Sequence, residues 1–144
     1  MTTPDLPHSE YQALGNFRYQ IRRFLHFSEG AARAEELEPQ QHQMMLTIRS
    51  REEPDSPTVG ELAESMLLKH HSAVGLVDRL EERGLVQRVR GGDDRRQVRV
   101  HLTAEGRDKL ARLSTIHREE LRSVAPVLVE ALGALLEGLT AHER

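Results

Sequence analysis

The stretch from Thr58 to Thr103 limits the fold of this chain more than any other segment. Thr58-Val59-Gly60-Glu61 has the pattern of a capping box. The threonine hydroxyl accepts the Glu61 backbone N–H, and the glutamate reaches back to the N–H of Thr58. A short helix is predicted from Val59 to about Ser65, with Val59, Leu62 and Ala63 inward, and Leu67-Leu68 then makes a turn. A second helix runs from His70 to Arg83 with Val74, Val77 and Leu80 on one face. Gly84 stands where a helix ends in the left-handed conformation. Leu85 to Val89 and Gln97 to Leu102 alternate around Gly91-Gly92-Asp93-Asp94, the pattern of a β-hairpin. Helix, turn, helix and two-stranded ribbon, in that order, make a winged helix-turn-helix.

The flanks are helical. Residues 1–7 carry two prolines and read as a draped terminus. A long helix is predicted from Ser9, its N-cap, to Ala34, with Leu14, Phe17, Ile21, Phe24 and Leu25 recurring at 3/4 spacing. All three phenylalanines and both tyrosines fall in it, so it has a large aromatic surface to bury in a core or a subunit interface. Leu37-Glu38-Pro39 opens another helix, proline being suited to a first turn, which carries Met44, Met45, Leu46 and Ile48 and stops near Arg51. Glu52 to Pro57 is turn chemistry. Thr103 caps a helix from Ala104 to about Ser123, and Pro126 is expected to break it before a last apolar helix with Leu128, Leu132, Leu135, Leu136 and Leu139. The fold class is therefore mainly α with a small β-hairpin wing. Residues 37–103 form the winged unit, and 1–36 with 104–144 form a helical region.

Composition narrows the setting. With 144 residues and no cysteine, the chain has no disulfide, thiol sensor or thiolate metal site to offer. It has no unbroken apolar run of about 18 residues, so no membrane span is expected. Its first residues lack the basic start and apolar core of a secretion signal, which places it in the cytosol.

Charge points to a partner. The net charge is −3, yet residues 83–99 hold six arginines (83, 88, 90, 95, 96, 99) against two aspartates, a local +4 that leaves −7 elsewhere. Such segregation is the footprint of a phosphate-contacting surface, although an arginine-rich run is also the ordinary make-up of a solvated face. A helix-turn-helix puts the start of its second helix in the major groove of duplex DNA. Here those positions are Lys69, His70, His71 and Ser72, with Gly75 one turn on and Arg79 beyond it. Lysine supplies a point charge, and histidine and serine donate to or accept from base edges. Thr58, Arg88 and Arg90 complete the candidate surface. At the hairpin tip, Arg95 and Arg96 suit phosphates or the narrow minor groove, and Asp94 can hold the Arg96 guanidinium in one rotamer.

These residues resemble the signature of the MarR family. The resemblance rests on Leu62-Ala63, Val77-Asp78-Arg79-Leu80-Glu81, Gly84-Leu85-Val86, Arg88, Asp94-Arg95-Arg96 and Leu102-Thr103 with Gly106, together with Gln41 in the second helix. It implies a dimeric winged helix-turn-helix transcription regulator, its terminal helices intertwined and its wings straddling a pseudo-palindromic operator. It further implies repression commonly relieved by a phenolic or aromatic acid, with Arg96 as the minor-groove residue. The sequence departs from the family at Val74 and Gly75, where relatives carry a polar residue and an arginine, and at His70-His71, which replaces a small polar pair. The operator sequence does not carry over. A shared interface would bury the apolar terminal helices and set two recognition helices about one DNA turn, roughly 34 Å, apart.

Four other readings are open. Arg22 and His26, beside Phe24 and Phe27, with His42 of the next helix, are candidate contacts for a small aromatic or anionic effector. Eight histidines with Glu29, Glu38 and Glu120 offer metal ligands, which would make a metal-responsive regulator, but none stands at a recognised local spacing and no cofactor is expected. An enzyme finds no support. There is no nucleophile elbow, phosphate-cradling glycine loop or metalloprotease helix. A winged helix used for protein contacts is the remaining alternative.

Overall fold

Helix capping and hydrophobic spacing set the order of elements. The computed structural model describes residues 2–91 and 97–142, and of 141 and 142 the backbone alone. The order is α1 (His8–Ala34), α2 (Pro39–Ser50), α3 (Val59–Ser65), α4 (His70–Glu82), β1 (Val86–Arg90), β2 (Val98–Leu102) and α5 (Ala104–His142). The chain divides into two units, Met1–Gly30 with Ile116–Arg144, and Ala31–Thr115.

The second unit is built as the local signals dictate. Pro39 stands in the first turn of α2, and the Gln41 side chain accepts the Glu38 N–H at 2.9 Å. Thr58 caps α3 by accepting the Glu61 N–H at 3.2 Å. The other half of that expected box is replaced: the Glu61 carboxylate takes the Thr58 hydroxyl and the Arg51 guanidinium. Leu67, at φ 56° and 93% exposed, makes the turn into α4, and Gly84 at φ 72° ends the helix. Leu62, Leu76, Val77 and Leu80 pack with Met44, Met45 and Ile48 of α2, Val86 and Val100 of the hairpin, and Leu110 and Leu113 of α5. The expected face of α4 shifts slightly. At about 100° per residue, positions 73, 76, 77 and 80 share one stripe, and Val74 falls on its flank, half-buried.

β1 and β2 pair antiparallel, Val86 opposite Leu102 and Arg90 opposite Val98. Thr58 bridges to Arg99 on the other edge of β2, where the Val100 N–H donates to the Pro57 carbonyl at 2.8 Å. The hairpin tip, with Asp94, Arg95 and Arg96, lies outside the described residues.

In the first unit two expectations are corrected. Helix α1 starts at His8, one residue before the expected cap. Ser9 is thus inside the first turn, and the Pro7 carbonyl accepts the Glu10 N–H at 3.0 Å. Pro126 does not end a helix. α5 runs 39 residues through it. Proline removes one N–H from the ladder, at a cost of about 3 kcal/mol. Packing on both sides of the proline offsets that loss. Before it, His117 lies edge-on to Phe24 and Phe27, with centroids 6.1 and 5.7 Å away. After it, Ala131 is 2% exposed. By length and composition, α5 also holds a stretch within 104–140 apolar enough to cross a membrane, with mean hydropathy 1.5. No unbroken apolar run exists there, but isolated glutamates such as Glu130 interrupt the stretch without making it polar.

Candidate nucleic-acid interface

The second unit brings the predicted reading residues together at one end of α4. Lys69 is the N-cap, with no side-chain hydrogen bond to the helix, and Lys69, His70 and His71 are all exposed. Lysine has no acceptor for the free N–H groups of a first turn, so this helix start is basic and open to an anion. Ser72 is half-buried. Gly75 lies under the Arg79 side chain: a Cβ there would sit 3.4 Å from Arg79 Nη1. A Cβ at 75 would therefore be in van der Waals contact with that guanidinium. Thr58 serves as the α3 cap, and its half-buried hydroxyl is committed to Glu61.

The arginine-rich segment does not act as one surface. Arg83 donates to Gln41 at 3.2 Å and Arg99 to the Ser56 carbonyl at 2.6 Å, so both are tied into the fold. Arg88 is expected among the DNA contacts, but its guanidinium is held by Asp78 at 2.6 Å and Glu81 at 2.7 Å. Its backbone N–H also donates to Glu81 at 2.9 Å. That N–H, more than any other cause, holds the Glu81 carboxyl below its ordinary 4.5; partial burial pushes the other way, and the guanidinium adds to the lowering. A depressed carboxylate contributes its stability above the unfolded value and loses it as pH falls through the folded one. The link between α4 and β1 is therefore intact at neutral pH and weakens in acid. Arg90, at the end of β1, is exposed.

Sequence reasoning missed three features of this unit. Ser56 Oγ lies 2.9 Å from His101 Nδ1, joining the loop before α3 to β2. Glu52, with a side chain 8% exposed, pairs with Arg49 and Arg107. Gly106 lies against the Leu85 backbone, where a Cβ would fall 2.1 Å from the Leu85 carbonyl oxygen. Only Gly106 carried a signal in the sequence, as part of the Leu-Thr-x-x-Gly pattern.

The candidate effector residues fall in different places. Arg22 and His26 line a groove of about 580 Å³ in the first unit with Tyr19, Arg23, Phe24, Phe27, Glu120 and Val127. The Arg23 guanidinium lies 5.9 Å from the Tyr19 ring centroid. His42 is not among the lining residues; it is buried in α2 of the second unit. Among the described residues no three His, Asp or Glu side chains are grouped to hold a metal ion.

The comparisons with known proteins agree with this architecture. A family model described as the MarR family matches residues 36–97, the segment from the loop before α2 to the hairpin. Over that segment the chain is similar to the MarR family. It is 39% identical over 67 residues to the HTH-type transcriptional regulator YsmB of Bacillus subtilis, a match that covers 46% of each protein. The chain thus spans under half the length of that relative. Its fold is similar to that of AbsC, a MarR family transcriptional regulator from Streptomyces coelicolor, with a TM-score of 0.75, 22% identity and 99% of both chains covered. It is also similar to MepR of Staphylococcus aureus, solved in complex with DNA. That TM-score is 0.67 at 17% identity, over 89% of this chain and 94% of the other. These likenesses to solved MarR proteins span both units and fix the fold class as a winged helix with long terminal helices.

Proposed function

We propose that this chain is a MarR-family protein, a cytosolic transcriptional regulator that binds duplex DNA as a homodimer. One observation carries the reading: the exposed Lys69-His70-His71 start of α4 stands uncapped by any side chain, in the same folded unit as the hairpin. His70, His71 and Ser72 read base edges, Lys69 and Arg90 meet phosphates, and Arg96 enters the minor groove. The capture of DNA by a similarly folded relative supports the assignment. The second copy is called for by apolar surface. On α5 Val129, Leu136 and Leu139 are 63–68% exposed. Beside them, Leu6 and Leu14 of the α1 end line a groove of about 630 Å³. Surface of that kind marks an interface. Two copies would present two reading helices to a pseudo-palindromic operator, and occupancy there represses.

Fluorescence anisotropy on the DNA upstream of the protein's own gene tests this. The affinity is expected to fall steeply with salt, and Arg96→Ala is expected to weaken binding and reduce the salt slope by about 0.9. Saturating protein that retains no DNA at low salt would sink the reading in favour of protein contacts.

The groove holding Arg22 and His26 is the proposed effector site for an aromatic acid, with the Phe24 and Phe27 edges against its ring. Calorimetric titration with salicylate is expected to show binding that Arg22→Ala or His26→Ala weakens about tenfold or more, the loss of a charge-assisted hydrogen bond. Equal heats for wild type and both variants would remove these residues from the site.

A further inference from the structure

Arg88 has the charge of a DNA contact and the geometry of a brace. Asp78 and Glu81 stand one turn apart on α4, and each takes a different guanidinium nitrogen. Glu81 then uses its second oxygen on the Arg88 N–H. That N–H is available because of the register. Arg88 pairs with Val100, whose own N–H points to the opposite edge and donates to Pro57. The outer edge of β1 is thus closed by a carboxylate of α4. The Arg88 side chain is 25% exposed, against 53% for Asp78 and 39% for Glu81.

Two consequences follow from charge and helix geometry. One guanidinium against two carboxylates leaves the cluster net negative, so it offers a phosphate no attraction. His71, Gly75 and Asp78 follow one another at the 4/3 spacing of a single helix stripe. The clamp therefore grips the face that, in the DNA-binding reading, looks into the groove, and it fixes the rotation of α4 relative to the wing.

We propose that Arg88 is a positioning residue, which aligns the recognition helix with the wing through Asp78 and Glu81 and touches no phosphate. This rests on the DNA-binding reading above. The decisive variant is Asp78→Asn, because the two possibilities give opposite signs. Removing a negative charge from an exposed position beside DNA strengthens binding if the surface acts by charge alone. It weakens operator binding if the clamp sets geometry.

Anisotropy across a salt series, on operator and on bulk DNA, reads the difference. Asp78→Asn and Arg88→Gln are each expected to weaken operator binding roughly tenfold or more while bulk-DNA affinity changes by less than about threefold. The salt slope should stay that of wild type, and the double variant should be no worse than Arg88→Gln alone. Arg88→Lys keeps the charge but loses the fork, so it is expected to fail as Arg88→Gln does. Should Arg88→Gln not fold, Asp78→Asn, which leaves the Arg88–Glu81 pair in place, carries the test. Tighter binding by Asp78→Asn, full recovery by Arg88→Lys, or a slope lowered by about 0.9 in Arg88→Gln overturns the assignment while DNA binding stands. A wild-type protein that retains no DNA overturns both.

Discussion

Gly106→Ala is expected to lower the melting temperature by about 10 °C. Alanine is the better helix former, by about 1 kcal/mol, so local propensity alone gives the opposite sign. Tertiary contact decides. A Cβ at 106 would lie 2.1 Å from the Leu85 carbonyl oxygen and 3.0 Å from its carbon, and both are backbone atoms. Neither side can give way cheaply. Leu85 is 1% exposed, and its carbonyl accepts the Thr103 N–H at 3.0 Å. Thr103 in turn donates its hydroxyl to the Gly84 carbonyl at 2.7 Å and accepts the Gly106 N–H at 3.0 Å. Moving α5 away breaks this cap and opens the core at Leu110. Overpacking of that severity costs about 3 kcal/mol, and each kcal/mol shifts the transition of a chain this size by roughly 3 °C. Thermal unfolding followed by circular dichroism measures it, and a transition within about 2 °C of wild type would refute the close contact.

The second large effect is on assembly. Leu132→Glu with Leu136→Glu is expected to convert a dimer into a 16.4 kDa monomer that keeps its fold. Both leucines are substantially exposed, 46% and 63%, so no core side chain is lost. Four charges facing one another across a two-fold interface would oppose association. Operator affinity should fall on the order of a hundredfold or more, because the second half-site loses its effective concentration. A DNA carrying one half-site should be bound equally by wild type and variant. Light scattering after size exclusion, with anisotropy on full and half sites, checks both statements. A wild type already monomeric at working concentration would contradict the dimer.

Local chemistry made much of the winged unit readable. The caps at Thr58 and Thr103, the left-handed Gly84 and the proline start of α2 act over a few residues, and each stands where the sequence placed it. The hairpin followed from alternation. The candidate site was readable at Lys69, His70 and His71, because a turn of known length before an amphipathic helix marks its exposed start. The arginines were harder. Counting charge from 83 to 99 treats them alike, yet the structure ties Arg83, Arg88 and Arg99 to internal acceptors. Their partners lie from seven to more than forty residues away, and composition does not show which arginine meets which acceptor.

The amino-acid sequence by itself determined the order of elements in the winged unit and its caps at Thr58 and Thr103, since hydrogen bonds and side-chain spacing within one or two turns decide them. Tertiary structure decided the rest. It carried α5 through Pro126, because packing on both sides of the proline, at His117 and at Ala131, outweighs one missing N–H. It made Gly106 indispensable through the Leu85 backbone. It also turned Arg88 from a free positive charge into a link between recognition helix and wing, because a guanidinium beside two carboxylates gains more from them than from water.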